Sequence, residues 1–434
     1  MKKHALALLL ALLLLLAPAL SAGCAPDGGD GETSPTPDEA GQTPAGSVEG
    51  AAEKDKIVIG GVRSQSGVYA LFDETAFGPI YRMWAGEVNA DGGIYVEEYG
   101  KKLPVELIIY DDKSEMDTMT RLYEKLILED KVDLLLPPVS TAALFAAAQI
   151  ANQHDYLLIG AEGAAVSIKE NIESYPGFFC TLNFSDTQVP ALTEVLTEGG
   201  IESAFIVYIE DLHGMEYSQA AVPAFEAAGI EIKGNVSVPP DIGDMTPIIN
   251  SAKNSGAQAF LMFAYPDQNF LAVSQAKELG YNPDVFFIGS GGSFDSCKLA
   301  LGGDEGVEGI MTWGAWNEKS SDAAAEFAER FREFNAGDDT VFADWWGHLP
   351  YYVSVQVLQQ AIERAGTLDN KVLREYIAEN KFDTVMGEAW FENHMLAAEC
   401  YLGNVGQWQN GVYEVIDVGG NRTAEPVIPK SAWK

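Results

Sequence analysis

Ser140 and Thr141 are the residues of this chain whose type and position point most directly to chemistry. They lie in the stretch LLLPPVSTAALFAAAQIANQHDYLLIGAEGAA, between an apolar run that ends at Pro138 and an alanine-rich helical run. A helix start leaves four backbone N–H groups unpaired and carries a partial positive charge. A hydroxyl at that start caps the helix and can also be offered to an anion. Open α/β sheets bind ligands at the carboxyl ends of their strands, and Leu134–Pro138 reads as such a strand. The chemistry expected at Ser140 and Thr141 is therefore capture of a carboxylate. The next apolar run, YLLI, ends at Gly160. The loop from Gly160 through Glu162 and Gly163 to Ala164 is short in side chains, which lets backbone groups come close to a ligand.

Other chemistries find less support. The five histidines are scattered without the spacing of metal ligands. The run GSGGS after VFFI lacks the G-x-G-x-x-G spacing of a dinucleotide loop. Neither GSGGS nor RSQSG makes a G-x-S-x-G nucleophile elbow. No nucleophile–base pair is legible, so no enzyme, no metal and no cofactor are expected. Cys180, Cys297 and Cys400 sit among apolar or small residues. Three cysteines cannot all pair, so buried free thiols are expected, with a single disulfide left open.

The elements that would position these residues follow from the pattern of apolar residues. The chain opens MKKHALALLLALLLLLAPALSAGC, a basic start, an apolar run and a small-residue exit. This is a secretory leader over residues 1–23. Residues 24–55, rich in Pro, Gly, Ser, Thr and acids, cannot bury a core and read as a disordered tether. From Lys56, strands alternate with helices: KIVIGGV, then FGPIYRMWAGEVNADGG, LPVELIIYDD, EMDTMTRLYEKLILEDKV, DLLLPP, STAALFAAAQIANQHD and YLLIGA. Such alternation implies a parallel sheet covered on both faces. After a turn region at FFCTLNFSD the alternation restarts at SAFIVYIED and runs to VEGIMTWGAW. A last group of helices, DAAAEFAERFREFNAG, LPYYVSVQVLQQAIERAG and KVLREYIAEN, suggests that the chain crosses back to the first lobe and then returns. The fold class expected is α/β, with two doubly wound parallel-sheet lobes. The first lobe takes 56–182 and 315–386, the second 183–314 and 387–425.

Of 434 residues, 64 are Asp or Glu and 27 are Lys or Arg, a formal net charge of -37. Removal of a leader carrying Lys2 and Lys3 would lower it by two more. That excess argues against a nucleic-acid partner, since phosphate contacts need Lys and Arg. It also disfavours docking on an anionic membrane surface. No other run approaches the length of a membrane span.

Cys24 follows Leu20-Ser21-Ala22-Gly23, which resembles the lipobox of bacterial lipoproteins. That resemblance implies lipidation of Cys24 and tethering of an extracytoplasmic protein to the cell membrane. Over residues 57–420 the chain resembles the branched-chain amino-acid (leucine-type) branch of the type I periplasmic binding proteins. The resemblance is carried by IGGVRSQSGVYALFDETAFG, AGEVNADGGI, ELIIYDDKSEMDTMTRLYEKLI, PPVSTAALFAAAQIANQHDYLLIGAEGAA and AFIVYIEDLHGMEYSQAAVPAFEAAG, in that order. It implies three crossover strands between the lobes and a ligand in the cleft. It also implies delivery of a small carboxylate, a branched-chain or related amino acid, to the permease subunits of an ABC importer. By position, Thr141 would bind the ligand carboxylate and Gly163 would offer a carbonyl. His213 and Tyr265 would be cleft aromatics, and the acid that pairs with the ligand ammonium would fall near Gly291. That acid is missing, and the hydroxyl of the second loop is replaced by Ala164. Glu162, Asp267 or Asp295 would have to substitute, or the ligand is not an ordinary α-amino acid. Tyr69 and Phe72 in the first loop, Trp313 and Trp316 near the crossovers, and Trp345, Trp346, His348 and Tyr351 raise an alternative, an aromatic carboxylate or amide. A sensory module on the same fold is a further alternative.

Overall fold

The structure, a computed structural model, describes residues 53–163, 166–417 and 421–433. The leader, most of the tether, Cys24 and Ala164 lie outside the described residues. Two seven-stranded sheets organise the rest. The first runs, in spatial order, Phe391–Glu392, Met395–Leu396, Phe178–Cys180, Leu158–Gly160, Leu134–Leu135, Ile57–Arg63, Val105–Asp111. The second runs Val412–Val415, Val405–Gln409, Met311–Trp313, Val285–Ile288, Ala259–Phe263, Ser203–Ile209, Glu231–Val238. The central strands of both sheets are parallel, and antiparallel pairs occur toward one edge of each. Parallel strands buried on both faces explain the near-continuous apolar runs IVIGGV, AFLMF and VFFI.

The chain passes between the sheets three times, after Cys180, after Trp313 and after Leu396. The helix His348–Ala365 packs on the first lobe against Gly78–Ala90 and Asn370–Glu379. There Trp84 Nε1 donates to Gln359 Oε1 at 3.1 Å. The sequence reading gives 387–425 to the second lobe. In the structure, Phe391–Glu392 and Met395–Leu396 instead extend the first sheet, with Met395 beside Cys180. Their buried Phe391, Met395 and Leu396 cover what would be an open edge at Phe178–Cys180. Strands of two residues carry no readable alternation, which hid this hairpin. Residues beyond 425 also belong to the fold: Lys430 N donates to Asp284 O at 2.8 Å.

Cys180, Cys297 and Cys400 are free and buried. Burial pushes the Cys180 thiol up to about 12, as expected for inert core cysteines.

Candidate functional site

The helix Thr141–Gln153 begins at the carboxyl end of Leu134–Leu135, after the loop Leu136–Ser140. Ser140 is its N-cap, its hydroxyl accepting from Ala143 N at 3.4 Å. The Ser140 backbone has φ 86° and ψ 153°, a region that side-chain-bearing residues rarely occupy. Strain of that kind clusters at ligand sites, and here it turns the start of the helix toward the space between the lobes. Gly163 lies directly against this turn. A Cβ on Gly163 would stand 2.9 Å from Ser140 C and Thr141 N, so glycine is required for the two loops to meet.

Ser140, Thr141 and Gly163 line one cavity between the lobes, together with Tyr69 and Phe72 from the first lobe and His213 and Tyr265 from the second. The room inside it for the centre of a water-sized sphere is about 30 Å³, a narrow space between these walls. Tyr69 and Phe72 are not in a plain loop as expected. Phe72 closes the helical turn Ala70–Phe72, which continues into a π-turn over Asp73–Phe77. That turn aims both rings across the cleft. Tyr69 and Phe72 meet Tyr265 edge-on at 5.6 and 6.0 Å, and Phe72 meets Phe294 at 5.7 Å.

His213 starts the helix Leu212–Ala227, whose N-cap Asp211 accepts from Gly214 N at 2.9 Å. Its ring stacks on Tyr265 at 5.1 Å and lies 4.7 Å from Tyr217. Burial lowers its pKa, so the imidazole is neutral at pH 7, and its Nε2 has no hydrogen-bond partner among the described residues.

Two expected positions stand apart. Gly160 is within its strand, where a Cβ would strike Leu144 and Phe178, and it does not line the cavity. Gly291 has φ +83°, and a Cβ there would stand 2.4 Å from Pro266 Cγ. No acidic side chain fits at that position, and its neighbour Ser290 reaches the cavity instead. Of the three candidate substitutes, Asp267 lies in an outer chamber at the mouth. Asp295 accepts from Trp345 Nε1 at 3.0 Å, in a separate pocket. Glu162 lines the cavity itself.

Trp346 and Tyr351 also line it, whereas Trp313 is core. Trp346 is fixed by Nε1 donating to Asn183 Oδ1 at 2.8 Å. Sequence reasoning missed Ser290 and Phe294, which follow the strand Val285–Ile288 as Ser140 follows Leu134–Leu135, and Tyr217, which lies inside the helix Leu212–Ala227.

The lobes are closed on each other in this structure. Glu216, on the second lobe, accepts from Val166 N at 2.9 Å, Ser167 N at 3.3 Å and Ser167 Oγ at 2.9 Å. Near the crossovers the buried Asp344 accepts from Ser293 Oγ at 2.8 Å and Trp346 N at 2.9 Å. Burial pushes the Asp344 carboxyl up to about 6.

Comparison with known proteins agrees with this architecture. Residues 56–411 match the family model described as periplasmic binding protein. A leucine-, isoleucine-, valine-, threonine- and alanine-binding protein of Pseudomonas aeruginosa is 24% identical over 70% of this chain and 78% of its own length. A Leu/Ile/Val-binding protein homologue of Brucella suis is 22% identical over 85% and 92%. Among solved structures, a leucine-binding protein of Thermotoga maritima superposes with TM-score 0.68 at 18% identity, covering 87% of this chain and 98% of that one. A solute-binding protein of an ABC transporter from R. palustris, in complex with 4-hydroxybenzoate, superposes with TM-score 0.70 at 19% identity, covering 86% and 98%. These relatives are binding proteins rather than enzymes. The chain belongs to the periplasmic binding protein family and is a solute-binding protein of the leucine-binding type.

Proposed function

We propose that this protein is an extracytoplasmic receptor, anchored by lipid at Cys24, that captures a small carboxylate ligand between its lobes and presents it to the permease of an ABC importer. The ligand favoured is a branched-chain or related amino acid. The observation that carries this reading is the start of Thr141–Gln153, with the strained Ser140 and the Gly163 loop against it, opening into a cavity walled by both lobes. The field of the helix start favours a carboxylate there. Capture would shift the population from open to closed lobes.

A second reading, an aromatic carboxylate, is favoured by the rings of Tyr69, Phe72, Tyr265 and His213 around the cavity, and by the 4-hydroxybenzoate bound to the R. palustris relative. Isothermal titration against amino acids and benzoates separates the two. Micromolar or tighter binding to one class, with compaction in solution scattering, is expected. No heat with either class would overturn the receptor reading for both.

A further inference from the structure

The ion pairs behind the cavity do not balance. Arg63, at the end of Ile57–Arg63, is buried, with Nε donating to Asp73 Oδ1 at 2.6 Å. Its Nη1 also donates to Glu162 Oε1, and to Pro137 O at 3.2 Å. Two buried carboxylates therefore share one buried guanidinium. With both ionised the group holds one uncompensated negative charge away from water, which is costly without a further cation. Arg63 and Asp73 stand behind the cavity wall, and Glu162 is the member that lines it. The second carboxylate oxygen of Glu162 is buried and makes no full hydrogen bond among the described residues. The buried Tyr81 hydroxyl lies beside Glu162, near enough to favour its ionised form.

The approach to the cavity carries the same sign. The outer chamber, beyond Tyr69, Phe72 and Tyr265, is lined by Asp211, Asp241 and Asp267 and, among the described residues, by no Lys or Arg. A ligand with only a negative charge meets repulsion along this path, and one with an ammonium is drawn in.

We propose that Glu162, held from behind by Arg63 and Asp73, is the subsite that receives a positively charged group of the ligand, so the ligand is a zwitterion with its carboxylate at Thr141 and its ammonium at Glu162. The subsite sits on the first lobe, on the loop beside the carboxylate site. One lobe thus holds both charged groups of an α-amino acid before the second lobe closes. This rests on the carboxylate reading above and selects within it.

The test compares L-leucine and L-phenylalanine with their deaminated counterparts, 4-methylpentanoate and 3-phenylpropanoate, by isothermal titration on the full-length protein. The amino acid that binds is expected to lose at least ~100-fold in affinity when the ammonium is removed, the scale of a lost charge-assisted hydrogen bond with a buried charge left unpaired. Glu162→Gln is expected to weaken that amino acid by a similar factor and to leave the deaminated acids unchanged or tighter. Deaminated acids that bind as tightly as their parents would overturn the subsite while leaving the carboxylate site standing. Full amino-acid affinity in Glu162→Gln would also overturn it. No heat from any of the four would sink the carboxylate reading and the subsite together. If Glu162→Gln fails to fold, the comparison on the unaltered protein decides alone.

Discussion

At the scale of single residues, the proposed site divides the work by charge between Thr141 and Glu162. Thr141→Ala is expected to weaken ligand binding by about 1.5–3 kcal/mol, one charge-assisted hydrogen bond. Unchanged affinity in titration would make Thr141 a neighbour of the cap only. Burial raises the Glu162 carboxyl to about 7, with Arg63 opposing the rise. The groups facing it are Arg63, Asp73, Tyr81, Tyr123 and Tyr351, from five surrounding segments. An ammonium beside it favours the ionised form. Binding of an amino acid at pH 6 is therefore expected to release close to one proton, read from the buffer dependence of the binding heat, and Glu162→Gln should release none. In the empty protein the sign reverses. A carboxyl raised above its unfolded value stabilises the fold fully below about 4.5 and loses that contribution as pH rises through about 7. Melting temperature of the empty protein should fall from pH 5 to pH 8 more steeply than in Glu162→Gln. Removing Arg63 would leave two buried carboxylates unpaired. Arg63→Met is expected to cost ~3–5 kcal/mol in denaturant unfolding, and a cost under 1 kcal/mol would show that the pairing contributes little.

The elements explain which parts of this were readable beforehand. Ser140 and Gly163 announce themselves because capping and close approach demand those residue types at a strand end. The strand–helix alternation was equally plain, since central strands such as Ile57–Arg63, Ala259–Phe263 and Val285–Ile288 are apolar runs. The partners of Glu162 were not readable, because Arg63 lies 99 residues away in sequence and meets it only when two strands pair with a third between them. The hairpin Phe391–Leu396 was hidden for a different reason, having too few residues for any period. Gly291 shows a third limit: its glycine follows from φ +83° and Pro266, neither visible in the sequence. One element contact bears on closure. Glu216 caps the start of Val166–Glu170 across the cleft. Glu216→Ala should favour the open form, giving a larger radius of gyration in scattering and a ligand affinity reduced several-fold. Identical scattering from the variant would show that these contacts do not hold the lobes.

At the scale of the whole molecule, the two lobes follow a segment whose sequence reads as a leader, a lipobox at Cys24 and a tether. Cys24→Ser is expected to move the protein from the membrane to the soluble fraction, and continued retention would count against the anchor. The strong acid excess disfavours contact of the folded part with an anionic surface. The lobes meet through rings, through Glu216 and through Asp344, with the cavity enclosed where Ser140 and Gly163 touch. A crystal structure grown with the tightest-binding compound of the titration panel tests the central claim most directly. The expected result is ligand between the lobes, its carboxylate within hydrogen-bonding distance of Thr141 and the start of that helix. Ligand bound elsewhere, or with its carboxylate turned away from Thr141, would contradict it.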